Sequence, residues 1–273
     1  MAAAEDECLA PSASRDADVL RHAEVLTDER LCLSELDFAE NGVTWQITVI
    51  DNTGYPNGPT MYLLHDNEDT AFDAALYGLR RYGGKIVAIE TGERRTHEGQ
   101  DPNLNFGETP RSTVLCEDMN IRPAPLFSQL MLDMRDREPN FILTLHNNID
   151  GYGDAGGNGG ISAAQTGGAF RGLLAESGMD EDDALLLAGT LPYETSRQAQ
   201  RVAGQFLARG VNVIYEHVTQ AGNDCSFSNY AALNQIAPYY NIEAQHGHLE
   251  PQKAILDALM AFEGIEVKDV EVR

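Results

Sequence analysis

His65 and Glu68 stand three residues apart in HDNE, directly after the apolar run TMYLL, and His146 ends a second apolar run, FILTL. Two imidazoles and a carboxylate offer the N and O atoms that suit Zn²⁺, with a fourth position left for water. A further carboxylate, Glu243, follows PYYNI; outside the metal shell it could take that water's proton. The spacing alone is weak, since seven His and twenty-two Glu in 273 residues produce about 0.6 chance occurrences of His-x-x-Glu. Position adds weight, because the short pair and the remote His each close a buried-strand pattern. The competing reading is that His65 and His146 only cap strands with satisfied hydrogen bonds and that Glu243 is a solvated carboxylate.

Such residues are useful only if strands bring them together. Leu31 to Phe38 and Thr44 to Ile50, joined by Asn and Gly, read as a hairpin. TMYLLH, a helix over 70–82 closed by Gly83 and Gly84, and KIVAIE give a β, α, β order. A loop over 91–108, a helix near 125–135 and FILTLH follow. Helices over 169–177 and 196–208, the strands VNVIYEHV and PYYNIEA, the helix PQKAILDALMAFEG and a last strand IEVKDVEVR complete the pattern. The alternation implies an α/β three-layer sandwich with a mixed, largely parallel central sheet. Residues 1–20, rich in Ala, Ser and acids, read as a disordered tail, and 21–273 as one catalytic domain. In such sheets ligands gather at the carboxyl ends of the strands, where the candidate residues fall.

Composition narrows the partners. The net charge of −24, from 19 basic and 43 acidic residues, sets nucleic acid and anionic membrane surfaces aside. No apolar run approaches the roughly 18 to 20 residues of a membrane helix, and the first residues lack a secretory pattern. Cys8, Cys32, Cys116 and Cys225 have no CxxC spacing and read as reduced thiols of a cytoplasmic protein.

The order HDNE, an Arg before DPNLNFG, LTLHNN and YYNIEA resembles the zinc carboxypeptidase superfamily, including its succinylglutamate desuccinylase and aspartoacylase branch. The resemblance covers about Thr60 to Leu259 and implies one Zn²⁺ per chain held by His65, Glu68 and His146. It further implies Glu243 as general base, Arg94 or Arg95 as the group polarising the scissile carbonyl, and Asn103 as a substrate anchor. AGNDCSFSNYAA resembles the segment that shapes the family's side-chain pocket, which would bring Asp224 and Tyr230 to the substrate. The implied activity is hydrolysis of amide bonds in small peptides or N-acyl amino acids. A noncatalytic binding protein that keeps the fold is the alternative, and an intact base argues against it.

One departure concerns the substrate. The family pairs its Asn with an Arg that clamps a carboxylate, whereas here Leu104 follows Asn103; Arg111 or the spare member of the Arg94 and Arg95 pair is the candidate replacement. Glu216-His217 could stand behind the metal ligands, His246 and His248 read as surface residues lining the cleft, and GYGDAGGNGG as a loop near the site. SGMDEDDA, without the ligand spacing of a calcium loop, reads as a helix start or solvated face.

Overall fold

The computed structural model describes residues 8–107, 124–136, 138–149, 161–165 and 167–268. Arg111, Cys116, the glycine-dense stretch 150–160 and both extreme termini lie outside the described residues. In chain order the elements are α1 (Ala17–Arg21), β1 (Leu31–Glu40), β2 (Val43–Asn52), β3 (Thr60–Leu63), α2 (Asp69–Tyr82), β4 (Lys85–Glu90) and α3 (Pro125–Met134). They continue with β5 (Ile142–Asn148), β6 (Phe170–Leu173), β7 (Ala184–Gly189), α4 (Arg197–Leu207), β8 (Val213–His217), α5 (Phe227–Leu233), β9 (Tyr239–Gln245) and α6 (Leu249–Glu263).

These strands form one mixed sheet in the order β1-β2-β4-β3-β5-β9-β7-β8-β6. The centre, β4-β3-β5-β9, is parallel, and the antiparallel pairings lie toward the two sides. The β1–β2 hairpin turns through Asn41 and Gly42, both at positive φ, the geometry for which an Asn-Gly pair is suited. The core has two parts, one on each face of the sheet. One contains the apolar stripes of α2, α4 and α6, and the other holds Phe127 and Met131 of α3 with Phe227 and Ala231 of α5. The three-layer arrangement expected from the alternation is therefore the one observed.

In α2 the buried positions Ala71, Ala75, Gly78, Leu79 and Tyr82 recur at helical spacing. Small residues on that stripe allow close approach: a Cβ on Gly78 would lie 2.8 Å from a methyl of Leu256 in α6 and 2.9 Å from the sulfur of Met61 in β3. The helix ends at Gly83 and Gly84, which reverse the chain into β4 with φ of 80° and 85°.

Several expectations are corrected. Residues 8–20 are packed rather than a free tail: Leu9 N–H bonds the Leu33 carbonyl, Val19 is fully buried, and Cys8 is joined to Cys32. Cys225 is also disulfide-bonded, and no cysteine is free among the described residues, so the thiols are oxidised. A sequence separation of 24 gave no hint that the N-terminal segment lies beside β1. The helix read over 169–177 is instead the edge strand β6, antiparallel to β8. ALLLAG, passed over as a strand, is β7. Residues 265–268 of the last expected strand are not in the sheet; Lys268 N–H bonds the Arg81 carbonyl instead. The acidic stretch before β7 is not a solvated face, since Asp182 and Asp183 are buried and Asp183 accepts from the Gln245 N–H at the end of β9.

Gly84 gives a direct test of the packing that starts β3 and β4 together. A Cβ there would sit 2.1 Å from the Pro59 carbonyl oxygen, and φ is already left-handed. Gly84→Ala is expected to lower unfolding stability by about 2 to 4 kcal/mol, measured by denaturant titration. A loss below about 0.5 kcal/mol, the range of an unremarkable surface change, would contradict this packing.

Candidate metal centre

Three backbone features carry the site. His65 lies just beyond β3, Glu68 is the residue preceding the first turn of α2, and His146 belongs to β5. The parallel register sets His146 of β5 beside Glu243 of β9. Alternation along β9 then divides its side chains: Tyr240 and Ile242 join the core on the α2 and α6 face, while Tyr239, Asn241 and Glu243 line the cavity on the other. Of these apolar neighbours in β9, Tyr239 shares the face of Glu243, whereas Tyr240 and Ile242 do not.

At the centre, His65 Nδ1 is 2.8 Å from one Glu68 carboxylate oxygen and 3.0 Å from His146 Nδ1; His146 Nδ1 is 2.9 Å from the other oxygen. All three side chains are buried. A tetrahedral Zn²⁺ with bonds of about 2.0 to 2.1 Å separates its ligand atoms by about 3.3 Å, so this donor set is close to the spacing such an ion requires. Among the described residues it is also the only group of three or more His, Cys, Asp or Glu so arranged.

Neighbouring charges act strongly on these buried groups. Burial pushes the His65 pKa down, but Glu68 and a 2.8 Å bond from His65 Nε2 to Asp101 outweigh it and raise it to about 9. Burial likewise opposes ionisation of Glu68, yet His146 and His65 hold its pKa well below the usual carboxylate range. Asn147 N–H donates to Glu68 at 3.1 Å, and Arg95 approaches it at 3.3 Å. With Asp101 accepting from Nε2–H, Nδ1 is the His65 nitrogen turned to the carboxylate and the second imidazole, the atom a metal ion would take once it displaces the proton there. On the strand side, Gln252 of α6 bonds the His146 carbonyl through Nε2 at 3.0 Å, tying β5 to the helix beneath it.

The structure places the remaining candidates unevenly. Glu243 is buried, lines the cavity and accepts a 2.8 Å bond from Asn241 Nδ2; burial pushes its pKa up. Arg95 reaches the centre through Glu68 and Asp101, whereas the Arg94 guanidinium turns back to the Thr91 carbonyl. Asn103, Leu104 and Asp224 line a cavity of about 510 Å³ beside the histidines, and Asn103 accepts from the Phe227 N–H. Tyr230 packs its ring near Phe106 and is not part of that lining. Glu216 forms part of the cavity wall, whereas His217 does not. His248 pairs with Asp183, and His246 is exposed.

Sequence reasoning passed over Asp101, although DPNLNFG begins with it. Its signal was an acid two residues before Asn103 in a motif already singled out, but nothing in the spacing shows that it meets His65. Burial works against its ionisation, and the bond and charge of His65 keep its pKa low nonetheless.

No family model and no curated protein matches the chain. Among solved structures the chain is similar to a metallo-carboxypeptidase from Burkholderia cenocepacia, at 10% identity over 91% of this chain and 70% of that one, with a TM-score of 0.46. It is also similar to a provisionally named metallopeptidase from Shewanella baltica, at 11% identity over 90% of each chain, with a TM-score of 0.46. A second such protein, from Shewanella amazonensis, matches at 13% identity over 90% of each chain with a TM-score of 0.44. At that identity and overlap these likenesses add nothing to the geometry of the site.

Asp101→Asn keeps a hydrogen-bond acceptor for His65 Nε2–H while removing the charge behind it. Metal affinity, measured by competition with a chromogenic chelator, should fall about 10- to 100-fold. Parent-like affinity would mean that Asp101 does not orient a ligand. A separate prediction concerns Glu216, whose pKa burial raises from 4.5 to about 7. The folded state then holds a proton that the unfolded chain releases near 4.5, so stability falls as pH rises between these values. Relative to Glu216→Gln, the parent should lose at most about 3 kcal/mol between pH 4.5 and 8, at 1.36 kcal/mol for each pKa unit. Parallel stability curves for the two proteins would contradict that assignment.

Proposed function

We propose that the chain is a zinc-dependent hydrolase of amide bonds that acts on small peptides or N-acyl amino acids. The observation that carries this reading is the register of β5 and β9, which puts a buried carboxylate beside a buried imidazole whose Nδ1 meets Glu68 and His65. His65, Glu68 and His146 would hold one Zn²⁺, which when bound lowers the pKa of a coordinated water and polarises a carbonyl oxygen.

The chain's own groups divide the remaining work. Glu243 accepts the proton of the attacking water and returns it to the leaving amine; its burial raises its basicity toward what that exchange needs. Asn241 Nδ2 holds one Glu243 oxygen, leaving the other to face the water. Arg95, at the edge of the cavity, supplies positive charge where a tetrahedral oxyanion develops, a role that Arg94 is turned away from. Asn103 lines the same cavity and can donate to the substrate. Leu104 lies there where the resembled family presents a guanidinium, so a substrate carboxylate is not clamped at that position.

Two further points concern setting. Among the described residues, no helix is long and apolar enough to cross a membrane. The disulfides suit an oxidising compartment better than the reducing cytoplasm first expected.

Glu243→Gln should keep the metal and lose hydrolysis, because an amide matches the carboxylate in size but cannot take a proton. The expected loss in kcat is about 100- to 10,000-fold at unchanged zinc content, measured on short acylated dipeptides and N-acyl amino acids. Turnover at the parent rate would remove Glu243 from the mechanism.

A further inference from the structure

A second cavity, of about 610 Å³, lies on the α2 and α6 face of the sheet, bordered by those helices, by the segment that follows α1 and by the chain beyond α6. It shares no lining residue with the cavity beside the histidines. Its charge runs against the composition of the chain. Acidic residues outnumber basic ones by 43 to 19, yet Arg80 and Arg81 of α2, Lys253 of α6 and Lys268 line this cavity with a single acid, Asp73. Asp73 is already engaged, by Arg21 at 3.1 Å and His22 at 2.7 Å. All four basic residues are half-buried instead of standing free in water. Lys253 Nζ and the Arg81 guanidinium carbon lie 5.2 and 5.6 Å from the centre of one ring, that of Tyr77, so these cations converge.

Like charges drawn together and partly out of water repel one another unless anions stand among them. The protein supplies two: Asp257 lies 3.5 Å from Arg81, and Glu250 lies 2.8 Å from Lys253. Among the described residues, Arg80 and Lys268 have no ion pair. Asp28, on which Arg80 acts at longer range, is paired with Arg30 at 2.5 Å. Two of the four positive charges are therefore unanswered. A phosphate monoester carries about −1.5 to −2 at neutral pH and three acceptor oxygens, and so meets both charges where a lone carboxylate would meet one. The remaining wall is apolar, with Leu76 of α2 and Leu249 of α6 beside Val25 and Val267. Val267 is 47% exposed, so this wall opens to water. The volume exceeds what a bare phosphate ion fills and falls in the range that encloses small organic ligands.

We propose that this cavity is a binding site for a small organic phosphate, with the phosphoryl group among Arg80, Arg81, Lys253 and Lys268 and an apolar body against Leu76 and Leu249. The site stands whether or not the chain hydrolyses amides, because the two cavities have no residue in common.

The test is calorimetric titration of the full chain with phenyl phosphate, phenol and inorganic phosphate. Phenyl phosphate should bind about 10-fold or more tightly than either of the others, since each offers only one half of the ligand. Arg80→Gln and Lys268→Gln should each weaken its binding by about 10-fold, the loss of one charge-assisted contact. Both variants should melt no lower than the parent, because each relieves repulsion and breaks no ion pair among the described residues. A metal-bound site could also take phosphate, so the titration is repeated on the parent after dialysis against a chelator, where the affinity should be unchanged. No binding of phenyl phosphate, affinity equal to that of phenol, or affinity untouched by both substitutions would overturn the proposal. Binding that disappears with the metal would overturn it too, by assigning the phosphate to the histidines, and variants that melt early as they lose binding would show that these charges hold the fold and not a ligand.

Discussion

A buried carboxylate shared by two buried imidazoles is the interaction on which the rest of the arrangement depends. Glu68 lies out of water with His65 and His146 on its two oxygens, and an ion of that kind is tolerable only when its partners are fixed. Each partner is fixed by a different part of the fold: His65 by Asp101, His146 by its place in β5 and by Gln252 behind that strand, and the carboxylate itself by Asn147 N–H. The same crowding of two nitrogens and two oxygens is what a divalent ion would organise. Removing one member would leave the others charged or unpaired in a dry place.

That constraint explains why the centre of the sheet is parallel. With β3, β5 and β9 running the same way, their carboxyl ends open together, and the turns leaving them deliver His65, Glu68 and the cavity-facing side chains of β9 to one edge. The antiparallel sides serve other ends. β1 and β2 extend the sheet on one side, and β7, β8 and β6 extend it on the other, where Glu216 of β8 joins the cavity wall. The helices α2 and α6 hold the opposite face, where Gly78 allows them to close on β3.

The residues that follow long apolar runs were legible from the sequence, because a buried central strand is a continuous hydrophobic stretch and its last residue must emerge at an edge. His65, His146 and Glu243 announced themselves in that way, and Glu68 by its three-residue spacing from His65. Asp101 did not, because a partner across 36 residues of chain leaves no periodic trace. Nor could one-dimensional spacing choose between Arg94 and Arg95, since the choice depends on a loop in which Glu93 takes a positive φ and redirects the chain. β6 and β7 were missed for a related reason. AFRGLL and ALLLAG are rich in Ala and Leu, which favour helices, and their pairing with β8 and β9 overrides that preference. The paired cysteines were hidden because oxidation depends on proximity in the fold, and widely spaced thiols give no sign of it.

The most direct measurement is the zinc stoichiometry of the purified chain after equilibrium dialysis, compared with that of His146→Ala. One tightly held Zn²⁺ per parent chain and none in the variant is the predicted result. A parent that holds no zinc, or a variant that holds as much as the parent, would contradict the assignment of His65, Glu68 and His146 as a metal centre.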